Sequence, residues 1–247
     1  MSILAPAVIG REKHMHRGHG AFRIERILPG SALGDENDSG FGGLGIIDHA
    51  NLQPGMLVRM HEHRNDEIVS YLRSGQMRHR DTAGAVEIVS ADRLMVMNAG
   101  SGVSHEEAVI GREPIDMLQI FIRPRKADLS PRVQFTDLCE RDRRDWRLIV
   151  GPEGSNAPTT VRQAIYIFDR HLAAGETGII DRHSSFDIWL YVFSGRLRAD
   201  RLVVEERCAL QVAGTPPPII SAETACDVVL FLVDRTSPAS REGTLSG

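Results

Sequence analysis

The sequence predicts an all-β protein built from two copies of one barrel or sandwich. Three observations carry this. Short runs alternate apolar and polar residues between turn signals, no helical period persists, and the strand pattern repeats after 120 residues. With 247 residues the chain holds one large domain or two of ordinary size.

The elements follow in order. Residues 1–30 form an irregular arm with a basic flavour, and "SALGDENDSGFGG" (31–43) is loop by composition. Strand-like runs then succeed one another to about residue 122: "LGIIDHA", "MLVRMHEH", "EIVSYLRSGQMRHRD", "GAVEIVSADRLMVMNAG" and "DMLQIFIRP". Gly75, Gly84, Gly100 and Gly102 punctuate them. Residues 123–160 break the rhythm, and the mixed-sign "LCERDRRDWR" within them reads as a solvated turn or short helix. Strands resume with "QAIYIFDRHLAAGE", "DIWLYVFSGRLRA" and "CDVVLFLVD", and the tail "RTSPASREGTLSG" is expected to be loose.

The resumption is a repeat. "HRNDEIVSYLRSGQMR" (63–78) lies over "HSSFDIWLYVFSGRLR" (183–198) with six of sixteen positions identical, His63/His183, Ile68/Ile188 and Tyr71/Tyr191 among them. Chance gives about one identity at typical residue frequencies. The expected organisation is an N-terminal domain with its arm (1–125), a linker (126–160) and a degenerate C-terminal copy (161–247).

Composition excludes several classes. A hydrophobic fraction of 42% with 25% charged residues suits a globular chain, and a net charge of −4 gives no reason to expect nucleic acid or an anionic membrane as partner. No run approaches eighteen apolar residues, and the N-terminus lacks the basic residues of a secretory signal. Cys139, Cys208 and Cys226 form no CxxC pair, so a reducing, cytoplasmic setting is expected.

Chemistry concentrates in the first copy. His61 and His63 are one residue apart and share a face of a strand; His105 and Glu107 have the same spacing and the same property. Side by side, the two segments offer three imidazoles and a carboxylate. That set suits Fe(II), and also Ni, Cu, Mn or Zn, and leaves two positions of an octahedral ion open. In the second copy Asp181 stands for His61, and the later region has no histidine, so one metal site is expected in the chain. Glu67 rivals Glu107 because its parity matches the first pair. Four residues of straight strand span about 13 Å, so spacing favours Glu107. His14, His16 and His19 in the arm have no carboxylate partner within their cluster, His79 and Arg80 read as a strand end, and His171 and His183 as structural or surface residues. Tyr71 and Met95 fit core packing better than a pocket wall.

These residues resemble the cupin superfamily. "GMLVRMHEHRNDE" looks like its first motif and "GSGVSH" like its second. Within it, the arm, "FGGLGIIDH", the histidine-bearing strands and "NAGSGVSHEE" occur in the order shown by the pirin family. The resemblance implies two tandem cupin barrels, each a double-stranded β-helix or jelly roll: a bicupin. It implies that His61, His63, His105 and Glu107 hold the ion. The sequence departs from the family with Glu62 between the first histidines, with "RSG" (73–75) at the following turn, and with Glu106 beside His105. Both glutamates are expected to add negative charge near the site.

Family members similar to flavonol dioxygenases open quercetin with release of carbon monoxide, while eukaryotic pirin is an iron-binding transcription cofactor. The intact ligands favour a metal-dependent dioxygenase using a small aromatic substrate and dioxygen, with Glu107 or Glu67 as base. The alternative is a non-catalytic metal or redox sensor that acts through a protein partner.

Overall fold

The computed structural model describes residues 5–139, 143–181 and 185–247. It holds two mainly antiparallel β-barrels, with helix among the described residues limited to short pieces such as Arg11–Lys13 and Pro29–Ala32. The first barrel is one curled sheet. Its strands run Met15–His19, Phe22–Ile27, Leu44–Leu52, Ile115–Ile122, Glu67–Ser74, Arg93–Asn98, Val86–Ser90, Gln76–Asp81, Val103–Ile110 and Leu57–His63 in spatial order. The second barrel pairs a seven-stranded sheet centred on Asp187–Ser194 and Cys226–Val233 with a four-stranded one.

The central strands are buried on both faces, and the period of two sorts their side chains. In Glu67–Ser74, Ile68 and Leu72 enter the first barrel's interior, while Val69 and Tyr71 enter a layer between the barrels. In Asp187–Ser194, Ile188, Leu190 and Val192 fill the second interior, while Trp189, Tyr191 and Phe193 face that same layer. The repeat is therefore visible as one packing scheme used twice. Met95 lies in the first barrel's core, as its alternation suggested.

Two tyrosines tie the layer together. Tyr71 donates to Asp169 at 2.7 Å, and the Tyr191 hydroxyl meets His49 Nδ1 at 2.7 Å. Tyr191 stands 120 residues after Tyr71, and Asp169 stands 120 after His49, so the two bonds are counterparts under the repeat. Burial raises both phenols above their ordinary value, so both stay protonated.

Three expectations differ from what is observed. Residues 126–160 were expected as a linker, yet Arg132–Asp137 pairs along Arg93–Asn98 in the first sheet, and Arg147–Pro152 pairs with Ile165–Leu172 in the second. In the charged run 138–147, of which 140–142 lie outside the described residues, Arg143 and Arg147 are not simply solvated. Arg147 places two nitrogens on Asp169 at 2.8 and 2.6 Å, and Arg143 adds a third contact at 3.1 Å. A mixed-sign run in sequence does not show whether its charges pair with water or with a buried carboxylate elsewhere.

The tail is packed rather than loose. Ser246 is buried, its N–H donates to Asp66 at 3.0 Å, and Thr244 N–H donates to the Arg64 carbonyl at 2.9 Å. The arm divides likewise: Ala7–Ile9 pairs with Ala209–Val212 of the second barrel, while the hairpin from Met15 to Ile27 extends the first. His183 lies outside the described residues. His171 is exposed, 3.1 Å from Asp227.

Replacing either bridging tyrosine tests the layer. Tyr71→Phe and Tyr191→Phe are each expected to cost about 1–2 kcal/mol, because each leaves a buried polar partner short of one hydrogen bond. Urea denaturation of the two variants beside the parent measures it.

Candidate metal centre

Three neighbouring strands build the site. Leu57–His63 and Gln76–Asp81 flank Val103–Ile110 on either side, all antiparallel. His105 lies directly opposite His61 on one neighbour and opposite Asp81 on the other; Val103 faces His63, and Glu107 faces His79. Residues opposed across a ladder share a face, so all these polar side chains point into the barrel. The loop feeding the central strand needs glycine at 100. Its φ is +52°, and a Cβ there would meet the Leu129 carbonyl oxygen at 2.0 Å.

The ligand atoms of His61, His63 and His105 come within 4.8 Å of one another, with ring centroids 4.5 to 5.1 Å apart. Glu107 groups with His105 and His79 at the same limit, its Oε1 lying 3.7 Å from His105 Nδ1. His61, His63 and Glu107 line one cavity of about 150 Å³, and fully buried His105 sits behind them. Its other walls include Phe22, Ile24, Val58, Met117, Phe121 and Leu245, with the buried Arg26–Asp48 ion pair at 2.6 Å among its polar groups.

The donors are set up to receive a cation. His61 Nδ1 donates to the Arg59 carbonyl at 2.8 Å, and His63 Nδ1 to Asp66 at 3.3 Å, which leaves each Nε2 with its lone pair. His105 Nε2 is buried with no hydrogen-bond partner. Burial, reinforced by the charges of His61, His63 and His79, pushes His105 down to about 2, so it is a neutral imidazole at any ordinary pH. Burial raises Glu107, and Gln119 donates to both its oxygens at 3.3 and 3.4 Å. A divalent cation among these groups would supply the missing partner of His105 and favour the carboxylate form of Glu107.

Glu67 is placed elsewhere. The turn at Arg64–Asp66, with Asn65 at φ +54°, breaks the strand after His63 and ends the parity shared with the histidines. Glu67 takes the parity of Val69 and Tyr71 and faces the second barrel. There it accepts from Asn98 Nδ2 at 3.0 Å and from the Arg162 backbone N–H. Glu62 is exposed, and Glu106 pairs with Arg80 at 3.0 Å; alternation turns both away from the cavity, so neither charge lines it.

His79 is the residue that the sequence reading missed. It lies inside its strand rather than at an end, is fully buried, and meets His105 at 3.4 Å between Nδ1 atoms. The available signal was the alternation of "QMRHRD", which puts His79 on the face of Met77. The arm histidines make no metal cluster among the described residues. His16 lines a separate cleft of about 460 Å³, in which Arg11 and Arg207 are tied to Glu25.

Among the described residues, the second barrel shows the same scaffold with no metal-ligand cluster. Ala199, the counterpart of His79 after 120 residues, is paired with Ile220 as His79 is paired with Glu107. Its interior is filled by apolar side chains such as Leu190, Leu197 and Val212.

Two family models match successive parts of the chain. A family model of pirin matches residues 35–122, and one of the quercetinase C-terminal cupin domain matches residues 148–233. The quercetin 2,3-dioxygenase of Escherichia coli K12 is 24% identical over 217 residues, covering 87% of this chain and 93% of the relative. A putative quercetin 2,3-dioxygenase of Pseudomonas aeruginosa is 25% identical over 220 residues, covering 88% and 95%. Among solved structures, Escherichia coli YhhW superposes with a TM-score of 0.84 at 22% identity, covering 93% of this chain and 97% of that one. A second structure, the bacterial pirin YhhW in complex with nickel(II), gives 0.83 at 22% identity, covering 93% and 99%. At these identities the structural likeness establishes the two-cupin fold.

Two measurements follow. Elemental analysis of protein purified without chelators is expected to find one transition-metal ion per chain, lost in His105→Ala and retained in Glu67→Gln. Separately, burial raises Glu67 from 4.5 to about 7 against the pull of its two N–H donors. The folded state therefore keeps a proton that the unfolded chain releases, and the stability from this group is full below pH 4.5 and lost as pH rises through 7. Thermal unfolding from pH 4.5 to 8 is expected to show a decline that Glu67→Gln lessens.

Proposed function

The chain belongs to the pirin family, and from that premise we propose that it is a metal-dependent dioxygenase that opens a flavonol such as quercetin. The observation that carries this reading is the cluster of His61, His63 and His105, with Glu107 beside His105, next to a mostly apolar cavity that His61, His63 and Glu107 line. His61, His63, His105 and Glu107 would hold the ion, with Fe(II) expected and Ni, Cu, Mn or Zn suited to the same donors. A metal bound there supplies Lewis acidity toward the enolate oxygen of the substrate and a route for electrons to dioxygen.

The chain's own groups do the rest. In this reading Glu107 takes the proton of the substrate's enolic hydroxyl. Burial raises its proton affinity, and the Gln119 amide holds its two oxygens in place. Phe22, Ile24 and Phe121 exclude water and offer faces to an aromatic ring, while Arg26, Asp48 and Gln119 can meet its hydroxyls. Glu67 is left out of the chemistry, because both its oxygens are engaged at the interface between the barrels.

Size adds a condition. Pockets for ligands of this class run from about 300 Å³ upward, and this cavity measures about 150 Å³. Leu245 is the cavity wall carried by the C-terminal tail, so substrate entry moves that segment aside.

Aerobic incubation of iron- or nickel-loaded protein with quercetin tests the proposal through loss of the flavonol absorbance. Leu245→Ala is expected to lower KM for quercetin several-fold with kcat little changed. Absence of turnover with every loaded metal would remove the substrate assignment and leave the metal-sensing alternative.

A further inference from the structure

Behind His61, His63 and His105 lies a chain of buried polar contacts that fixes the proton positions once both of its imidazoles are neutral. Asp81 accepts the Ala85 backbone N–H at 3.0 Å on one oxygen and stands 2.7 Å from His79 Nε2 on the other. His79 Nδ1 stands 3.4 Å from His105 Nδ1. Both imidazoles are fully buried, and the side chain of Asp81 is too. Glu107 Oε1 lies 3.7 Å from His105 Nδ1, beyond hydrogen-bond distance.

A carboxylate only accepts, so His79 Nε2 carries the proton it gives to Asp81. In the neutral imidazole its Nδ1 is then the acceptor, and the proton between the two rings belongs to His105 Nδ1. His105 Nε2 is left with a lone pair, and it is the atom that has no partner in the protein.

We propose that His79 and Asp81 are positioning residues that fix the tautomer and orientation of His105, so that its Nε2 faces the ion. The inference rests on His105 being a metal ligand. It assigns His79 a place behind the ligand set rather than within it, although its ligand atom comes within 4.8 Å of those of His105 and Glu107.

Asp81→Asn is the discriminating variant. It keeps size and the oxygen that accepts from Ala85, but presents an N–H to His79 Nε2. That moves the His79 proton to Nδ1, where it opposes the His105 proton. Affinity for Co(II), measured by chelator competition, is expected to fall about 10–100-fold, with a shifted Co(II) d–d spectrum and an unchanged melting temperature for the metal-free protein. His79→Phe, which keeps volume and removes the acceptor, is expected to weaken Co(II) to a similar degree. Unchanged affinity and spectrum in Asp81→Asn would overturn the inference. So would a count of bound imidazoles, by pulsed EPR on the Cu(II) form, that drops by one in His79→Phe, since His79 would then be a ligand. A parent protein that takes up no Co(II) overturns the centre itself and this inference with it; a parent that binds alongside variants that bind equally overturns this inference alone.

Discussion

Tyr71 leaves the first barrel to reach Asp169 of the second, and Tyr191 leaves the second to reach His49 of the first. The apolar layer around these two bonds uses one face of the central strands in each barrel, with Val69 and Leu118 from one side meeting Trp189 and Phe231 from the other. Only the opposite face is left to build each interior. Because alternation allows no third option, every side chain on these strands either joins the layer or enters a barrel. The separation of Glu67 from the histidines follows from this constraint.

The two interiors then diverge. The second is packed with leucine, valine and isoleucine, and it contributes mass, a shared layer and the carboxylate of Asp169. The first surrenders part of its interior to His63, His79, His105 and Glu107, which on their own are costly to bury, with half-buried His61 beside them. Their hydrogen bonds to Arg59, Asp66, Asp81 and Gln119 offset part of that cost. The unpartnered Nε2 of His105 shows where it is not offset within the protein.

The chain ends reinforce the arrangement by exchange. The N-terminal strand Ala7–Ile9 completes the second barrel's sheet, and the C-terminal tail docks on the first barrel. Asp66 joins that tail to the site, since its carboxylate receives the His63 ring on one side and the Ser246 backbone on the other. Position of the tail, shape of the cavity and orientation of His63 thus share one side chain.

Local patterning in the sequence determined the strands, the repeat and the shared face within each of the pairs His61/His63 and His105/Glu107. Those features depend on residue spacing and on alternation, which are properties of a strand alone. Tertiary structure decided the rest. Asn65 turns the chain between His63 and Glu67, so equal parity in sequence became opposite destinations in space. His79 joins the site because its strand lies next to that of His105, a register set by sheet closure over distance. Arg143 and Arg147 sit in a charged run, and only the fold supplies the buried Asp169 that receives them. The tail reads as loose because its partners Asp66 and Arg64 lie some 180 residues earlier in the chain. Spacing along one strand fixes which side chains share a face, but which strands meet and what lies behind each face depend on contacts between distant parts of the chain.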